Sequence, residues 1–308
     1  MSGQVTYTLS DFGSYTAGGR THHVTDGKPR TVQFRARCPM TSTRAAPSRS
    51  STPTSSITCL RHAIRHPPLF WSTAAGMCGS CWETTPDGRP GWLHLLLQQG
   101  YEVHVLDNVE RGRAGFVPGL WEGGPVLRSI EEAWTLMRIG DTENFAARRP
   151  FEGQKFPVDS LEALARRFVP RWFSTTGLQA AALRAVLART GPATVICHSQ
   201  GSEAVFDALS ADPQLAVAVV ALEPSSDHDP RGPLADLPMV LVSGGFLDTT
   251  EFWQARRAAW RQSARNTRGR TGLLETDAEI GPGHSHMLMM DRDNDMLLDL
   301  CLARLSAP

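Results

Sequence analysis

The chain has 308 residues, 31 basic and 31 acidic side chains, a formal net charge of +0 at pH 7 and 6 Cys. That length holds one large α/β domain with an insertion, or two small domains, and either buries a sizeable core. Balanced charge without a basic block argues against nucleic acid as a partner, the Cys content is too low for a disulfide scaffold, and no run reaches the ~18 apolar residues of a membrane span.

Met1 to Gly13 shows neither the charged start nor the apolar middle of a signal peptide. The expectation is a soluble cytoplasmic protein that acts on a small molecule, with no nucleic acid, no membrane, no cofactor and no metal. Residues 1–35 hold one strand, Thr31-Val32-Gln33-Phe34, behind a turn at Gly18-Gly19. Composition changes over 36–76, where Thr41 to Ser56 contains no large apolar residue, and the segment reads as irregular. A displaced reading frame would account for it: if Phe70 to Gly76 is encoded TTC TGG TCC ACG GCG GCG GGC, the same bases in another frame spell Leu-Val-His-Gly-Gly-Gly.

Beyond Met77 the chain becomes regular. Cys78-Gly79-Ser80-Cys81 spells C-x-x-C, but no second pair at metal-ligand spacing accompanies it, so it is not read as a zinc or redox site. The Pro86-Asp87-Gly88 turn leads to a short helix at Leu93 to Gln99, stopped by Gly100, and then to a strand within Tyr101 to Asp107. Helix, Gly and strand in that order form an α/β crossover. The following turn carries Arg111-Gly112-Arg113; these arginines could grip an anion, although loop arginines are more often solvated or salt-bridged.

Residues 119–178 break the alternation. They hold helical runs at Ser129 to Arg138 and Asp159 to Phe168 and are rich in aromatics such as Trp121, Trp134, Phe156, Trp172 and Phe173. This reads as a cap insertion over a sheet edge, its rings lining an apolar pocket or packing the cap down. A helix at Leu178 to Arg189 then resumes the alternation. Apolar runs at Ala216 to Leu222 and Met239 to Ser243 suit buried parallel strands. A helix at Thr250 to Ala264, a strand at Leu273-Leu274 and a last helix at Asp295 to Leu305 complete a mostly parallel, helix-covered α/β sheet. The organisation expected is therefore an N-terminal strand segment (1–35), an irregular segment (36–76), a core from 77–118 and 179–308, and the cap (119–178).

The chemistry centres on Thr194-Val195-Ile196-Cys197-His198-Ser199-Gln200-Gly201, a strand that ends on Ser before a helical run from Ser202 to Leu209. This is the strand–turn–helix setting of a nucleophile elbow, with Cys197 where the first Gly of G-x-S-x-G is usual. Ser199 is the candidate nucleophile. In this arrangement the acid and then the His follow the Ser in sequence. Downstream lie His228, His284 and His286; His286, against Met287-Leu288-Met289-Met290, is the candidate base and His284 the alternative. Glu223 and Asp248 both follow apolar strand runs and are the two candidate acids.

Taken together, Cys78 to Gly115, Val195 to Gly201, Ala221 to Ser225 and Gly283 to Asp291 resemble a bacterial branch of α/β-hydrolase esterases, over residues 77–308 with a weaker match at Gly13 to Phe34. The resemblance implies a serine esterase acting on a small carboxylic ester, with Ser199 as nucleophile, Glu223 rather than Asp248 as acid and His286 as base. That family carries His-Gly-Gly-Gly on an early strand to supply an oxyanion N–H. This chain has Ser72-Thr73-Ala74-Ala75-Gly76 there, and the displaced frame restores the motif. The expected oxyanion donors are Gln200 with Gly76 or Met77. Loss of one such donor costs ~10²–10³ in rate, so the competing expectation is a catalytically impaired or silent protein of the same fold. A dinucleotide-dependent enzyme is disfavoured, since no G-x-G-x-x-G follows a strand.

Overall fold

A computed structural model describes residues 9, 11–18, 20–23, 31–33, 39–41, 49–52, 56–61, 68–71, 76–114, 121–227, 229, 231–266 and 270–306. Its strands are β1 (Asp11–Thr16), β2 (Arg20–His23), β3 (Thr31–Gln33), β4 (Pro39–Thr41), β5 (Arg49–Thr52), β6 (Ser56–Arg61), β7 (Pro68–Trp71), β8 (Val103–Asp107), β9 (Ala193–His198), β10 (Ala216–Leu222), β11 (Met239–Ser243) and β12 (Thr271–Glu275). The α-helices are α1 (Ser80–Glu83), α2 (Trp92–Gln98), α3 (Ile130–Leu136), α4 (Leu161–Ala165), α5 (Thr176–Thr190), α6 (Gly201–Ala211), α7 (Glu251–Asn266), α8 (Thr276–Glu279) and α9 (Asn294–Ser306).

Eight strands form one sheet in the order β1-β6-β8-β7-β9-β10-β11-β12. From β8 to β12 every neighbouring pair is parallel, while β1, β6 and β8 pair antiparallel. The alternation of side chains across a strand splits the core in two. Ile196, Val220, Leu222, Val240 and Val242 enter one cluster, with Trp82, Trp92 and Trp134. Val195, Cys197, Val219, Ala221 and Leu241 enter the other, under α5 and α6. Continuous apolar runs such as AVAVVAL in β10 follow from burial on both faces.

Chain order puts the site at one edge. The chain leaves β7 toward β8 on one side and later returns to β9 on the other, so the order reverses between β7 and β9, where Trp71 pairs Cys197 in parallel register. Ligands of open α/β sheets bind in the crevice at the strands' carboxyl ends where such a reversal occurs. The residues after β9 leave from this same edge.

Within the segment 36–76, expected to be irregular, the described residues include the short strands β4, β5, β6 and β7. In β6 the residues Ser-Ile-Thr-Cys-Leu-Arg include two β-branched ones. Its ladder to β8, Thr58 opposite Val105 and Cys59 opposite His104, supplies a pairing that composition cannot reveal. β7 opens on Pro68, the position in a strand where a missing N–H is tolerated. Ser72 to Ala75, His228 and the Gly19 half of the Gly pair lie outside the described residues.

The segment 119–178 packs on the sheet through shared apolar contacts. Ala133, Trp134, Met137, Phe156, Leu161 and Leu164 belong to the same cluster as Met287 to Met290. Helix α3 starts where Ser129 and Glu132 exchange side-chain-to-backbone hydrogen bonds, a capping box. Trp134 is fully buried and donates Nε1 to the Asp141 carbonyl at 2.9 Å, so this ring packs the segment down. Phe173, by contrast, is 68% exposed.

Candidate active site

Ser199 stands between β9 and α6 with φ 50°, the left-handed region that costs a non-Gly residue roughly 1–3 kcal/mol. The turn is held at several points. The Ser199 N–H donates to the Leu222 carbonyl at 2.9 Å, and the Ser199 carbonyl accepts from Ser202 Oγ at 2.8 Å and from Ser225 N at 3.2 Å. These bonds aim a half-buried hydroxyl away from the sheet edge. The Gln200 N–H follows at the start of α6, where helix N–H groups lack intrahelical partners and favour negative charge.

Of the two His in the loop, His286 meets Ser199. Its Nε2 lies 3.0 Å from Ser199 Oγ, and its Nδ1 donates to Glu223 Oε2 at 2.5 Å. His284 is fully buried beside Lys155 (3.3 Å) and Asp293 (3.1 Å), a separate ion-pair group. The acids divide as sharply. Glu223 is 1% exposed at the end of β10, whereas Asp248 is exposed and ion-paired with Arg257. Gly76, at φ 82°, accepts from Val169 N at 2.7 Å, and Met77, fully buried, accepts from Arg111 Nη1 at 3.3 Å.

The His286 loop is fixed from both sides. Asp291 takes the Ser285 N–H at 2.9 Å and its hydroxyl at 2.7 Å, and burial pushes this carboxyl up to about 8. Met287 to Met290 are at most 1% exposed. At Gly283 φ is 109°, and a Cβ there would stand 2.1 Å from the Gly153 carbonyl oxygen. Gly283→Ala is therefore expected to lower stability by about 1–3 kcal/mol, read as a drop in thermal midpoint. An unchanged midpoint would show that the loop relaxes freely.

Two residues of the site carried no sequence expectation. Arg138, fully buried at φ 55° just past α3, hydrogen-bonds Glu223 Oε1 through Nη2 and donates Nε to the Gly245 carbonyl at 2.8 Å. Its guanidinium lies 4.2 Å from the centre of the Trp253 ring, which in turn lies 5.1 Å from the His286 ring. Burial pushes the Glu223 carboxyl up, but the Arg138 charge and the His286 hydrogen bond outweigh it and bring it to about 2. His198 donates Nε2 to the His286 carbonyl at 2.8 Å, and burial, with the nearby His286 charge, drives it down to about 3, so it is neutral. The signals were a lone Arg inside Met137-Arg138-Ile139 and a His next to the candidate Ser; neither type alone names a partner.

No protein-family model matches the chain. The probable secreted lipase phiG of Fungal sp. (strain ATCC 74256) is 31% identical over 170 residues, 51% of this chain and 45% of that protein. The chain thus spans less than half the length of the curated relative it matches. A bacterial esterase superposes with a TM-score of 0.81 at 25% identity, over 98% of this chain and 97% of that one. The protein has the α/β-hydrolase fold. Its relatives within that fold are carboxylic ester hydrolases, an esterase and a lipase.

Proposed function

We propose that the protein is a serine esterase that cleaves a small carboxylic ester through an acyl-enzyme. The observation that carries this is the unbroken chain from Ser199 Oγ through His286 to Glu223, at 3.0 and 2.5 Å. Ser199 Oγ attacks the ester carbonyl carbon while its proton passes to His286 Nε2. The oxyanion is received by the Gln200 N–H and, on the same reading, an N–H at Gly76 or Met77. Collapse breaks the bond to the alcohol, which leaves with the proton from His286. Water then attacks the acyl carbon, gives its proton to His286, and the acid departs with Ser199 restored. Glu223 holds Nδ1 protonated so that Nε2 faces the serine.

A fluorophosphonate probe tests this against a catalytically silent protein of the same fold. Rapid labelling confined to Ser199 supports the esterase, and an unlabelled protein rules it out. The cytoplasmic expectation stands against a relative described as secreted, and fractionation of producing cells separates the two.

The pH profile has a worked sign. Burial lowers His286 from its ordinary 6.5, against the opposing hydrogen bond and charge of Glu223. The base must be neutral to take the serine proton, so activity falls only as pH drops through this lowered value. The acid limb of kcat/KM is therefore expected to have its midpoint below 6.5, with activity already at its plateau near neutrality. A midpoint above 6.5 contradicts the burial seen here.

A further inference from the structure

The turn after β8 carries Arg111 and Arg113, and the two have different fates. Arg113 pairs with Asp107, Nε to Oδ2 at 2.7 Å. Arg111 is 1% exposed; it donates Nη1 to the Met77 carbonyl, and its Nε stands 3.5 Å from Glu110, yet Nη2 has no acceptor among the described residues. Arg171 is 4% exposed, turns Nη1 onto Gln200 Oε1 and leaves Nε without an acceptor. Arg128 is half-buried and its Nε is also unpartnered. A two-way backbone bridge between Val126 and Arg171, 2.7 and 3.2 Å, sets the segments bearing Arg128 and Arg171 side by side.

The three guanidiniums act on one another and on the site. Burial first, and the Arg111 charge second, bring Arg171 down to about 10, and Arg128 presses in the same direction. The Arg128 charge also reaches His286. The carboxylates whose charge reaches this group are Glu110, Glu203 and Asp107, and Asp107 is already paired with Arg113. Glu203 is already engaged by Gln200 Nε2 at 3.5 Å and Ser225 Oγ at 2.9 Å. Buried N–H groups without acceptors, on cations that repel one another, cost folding free energy. An anion placed among them would remove both penalties, and a guanidinium presents paired N–H donors that match a carboxylate.

We propose that the ester this protein cleaves bears a carboxylate, received by Arg128 and Arg171, with Arg111 behind them, beside Ser199. This rests on the esterase reading and names its substrate class. The Phe173 ring covers one face of Arg171, 4.0 Å from its guanidinium carbon, and its exposed side offers an apolar surface for the hydrocarbon part of such a substrate. Whether the carboxylate sits on the acyl or the alcohol half is decided by experiment.

Two substrate pairs read this out in the wild-type protein. The first is p-nitrophenyl hemiglutarate against p-nitrophenyl valerate, and the second is 4-carboxyphenyl acetate against p-tolyl acetate. The carboxylate member of one pair is expected to be favoured at least tenfold in kcat/KM, chiefly through KM, and the pair identifies the half that carries the charge. Arg128→Gln is expected to remove most of that preference, read as the ratio of the two kcat/KM values within each pair. Equal or better turnover of the neutral member in both pairs overturns the proposal, as does a preference that survives Arg128→Gln. A second arm needs no turnover: glutarate binding to the Ser199→Ala protein, followed by calorimetry, is expected to be lost when Arg128→Gln is added. If no ester is hydrolysed and the fluorophosphonate fails to label, the esterase reading falls, while the glutarate arm still judges the anion site: binding that is lost with Arg128→Gln supports it, and absent binding refutes it.

Discussion

Replacing Ser199 by Ala is expected to lower kcat for any ester substrate by on the order of 10⁶-fold, the loss typical when the nucleophile of a cooperating triad is removed. The argument is geometric. Ser199 Oγ is 3.0 Å from the imidazole nitrogen that would take its proton, on a turn whose backbone is pinned by Leu222, Ser202 and Ser225. Those backbone anchors do not use the hydroxyl, so the variant should fold, with a thermal midpoint close to the parent's. The measurement is a steady-state assay with p-nitrophenyl butyrate beside a melting curve. Retention of more than a percent or so of the parent kcat in a folded variant would place the nucleophile elsewhere.

What was legible in the sequence divides along physical lines. β10 and β11 appear with the boundaries expected, Ala216–Leu222 and Met239–Ser243, because a parallel strand buried on both faces must be an unbroken apolar run. β1 and β6 carried no such mark. They join the sheet antiparallel at one side, and DFGSYT and SITCLR mix polar with apolar residues. The elbow was readable because strand, small turn and helix are local features. The preference for His286 over His284 rested on the apolar run beside it, and that for Glu223 over Asp248 on resemblance. In the structure the two buried histidines differ in reach, His284 turning to Lys155 and Asp293 and His286 to Ser199, while the two acids differ in burial, Asp248 turning outward to Arg257. Arg138 was illegible because its role exists only once α3 is packed against the ends of β10 and β11. Its neighbour Met137 donates no side-chain chemistry, but its carbonyl takes the His286 N–H at 2.9 Å, so the same short stretch holds both the proposed acid and the proposed base.

Substituting Glu223 by Gln is the second large effect expected, and Asp248→Asn is its control. Glu223 Oε2 takes the His286 Nδ1 proton and Oε1 takes Arg138 Nη2 and the Gly244 N–H, the latter at 2.7 Å. An amide cannot accept at both ends, so one amide N–H would face either His286 or Arg138. If it faces His286, the imidazole loses control of its tautomer, for which a kcat loss of about 10⁴-fold is expected. In either orientation Arg138 remains buried without a counter-charge, which costs about 3–5 kcal/mol. The sign of the pH effect follows from the carboxyl's position. Glu223 is brought from 4.5 to about 2 on folding; the stability this supplies is present above 4.5 and is lost as pH falls toward 2. In Glu223→Gln that part of the acid dependence should be missing. The His286 acid limb should also move to still lower pH, since the carboxylate is what holds that pKa up against burial. Asp248, exposed and ion-paired with Arg257, should tolerate Asn with less than about a twofold change in kcat and within ~1 kcal/mol of stability. Activity assays and urea unfolding across pH 2 to 8 read all of this together. If Asp248→Asn proves the more damaging variant, the acid belongs to the loop after β11 and the bond between His286 and Glu223 is structural.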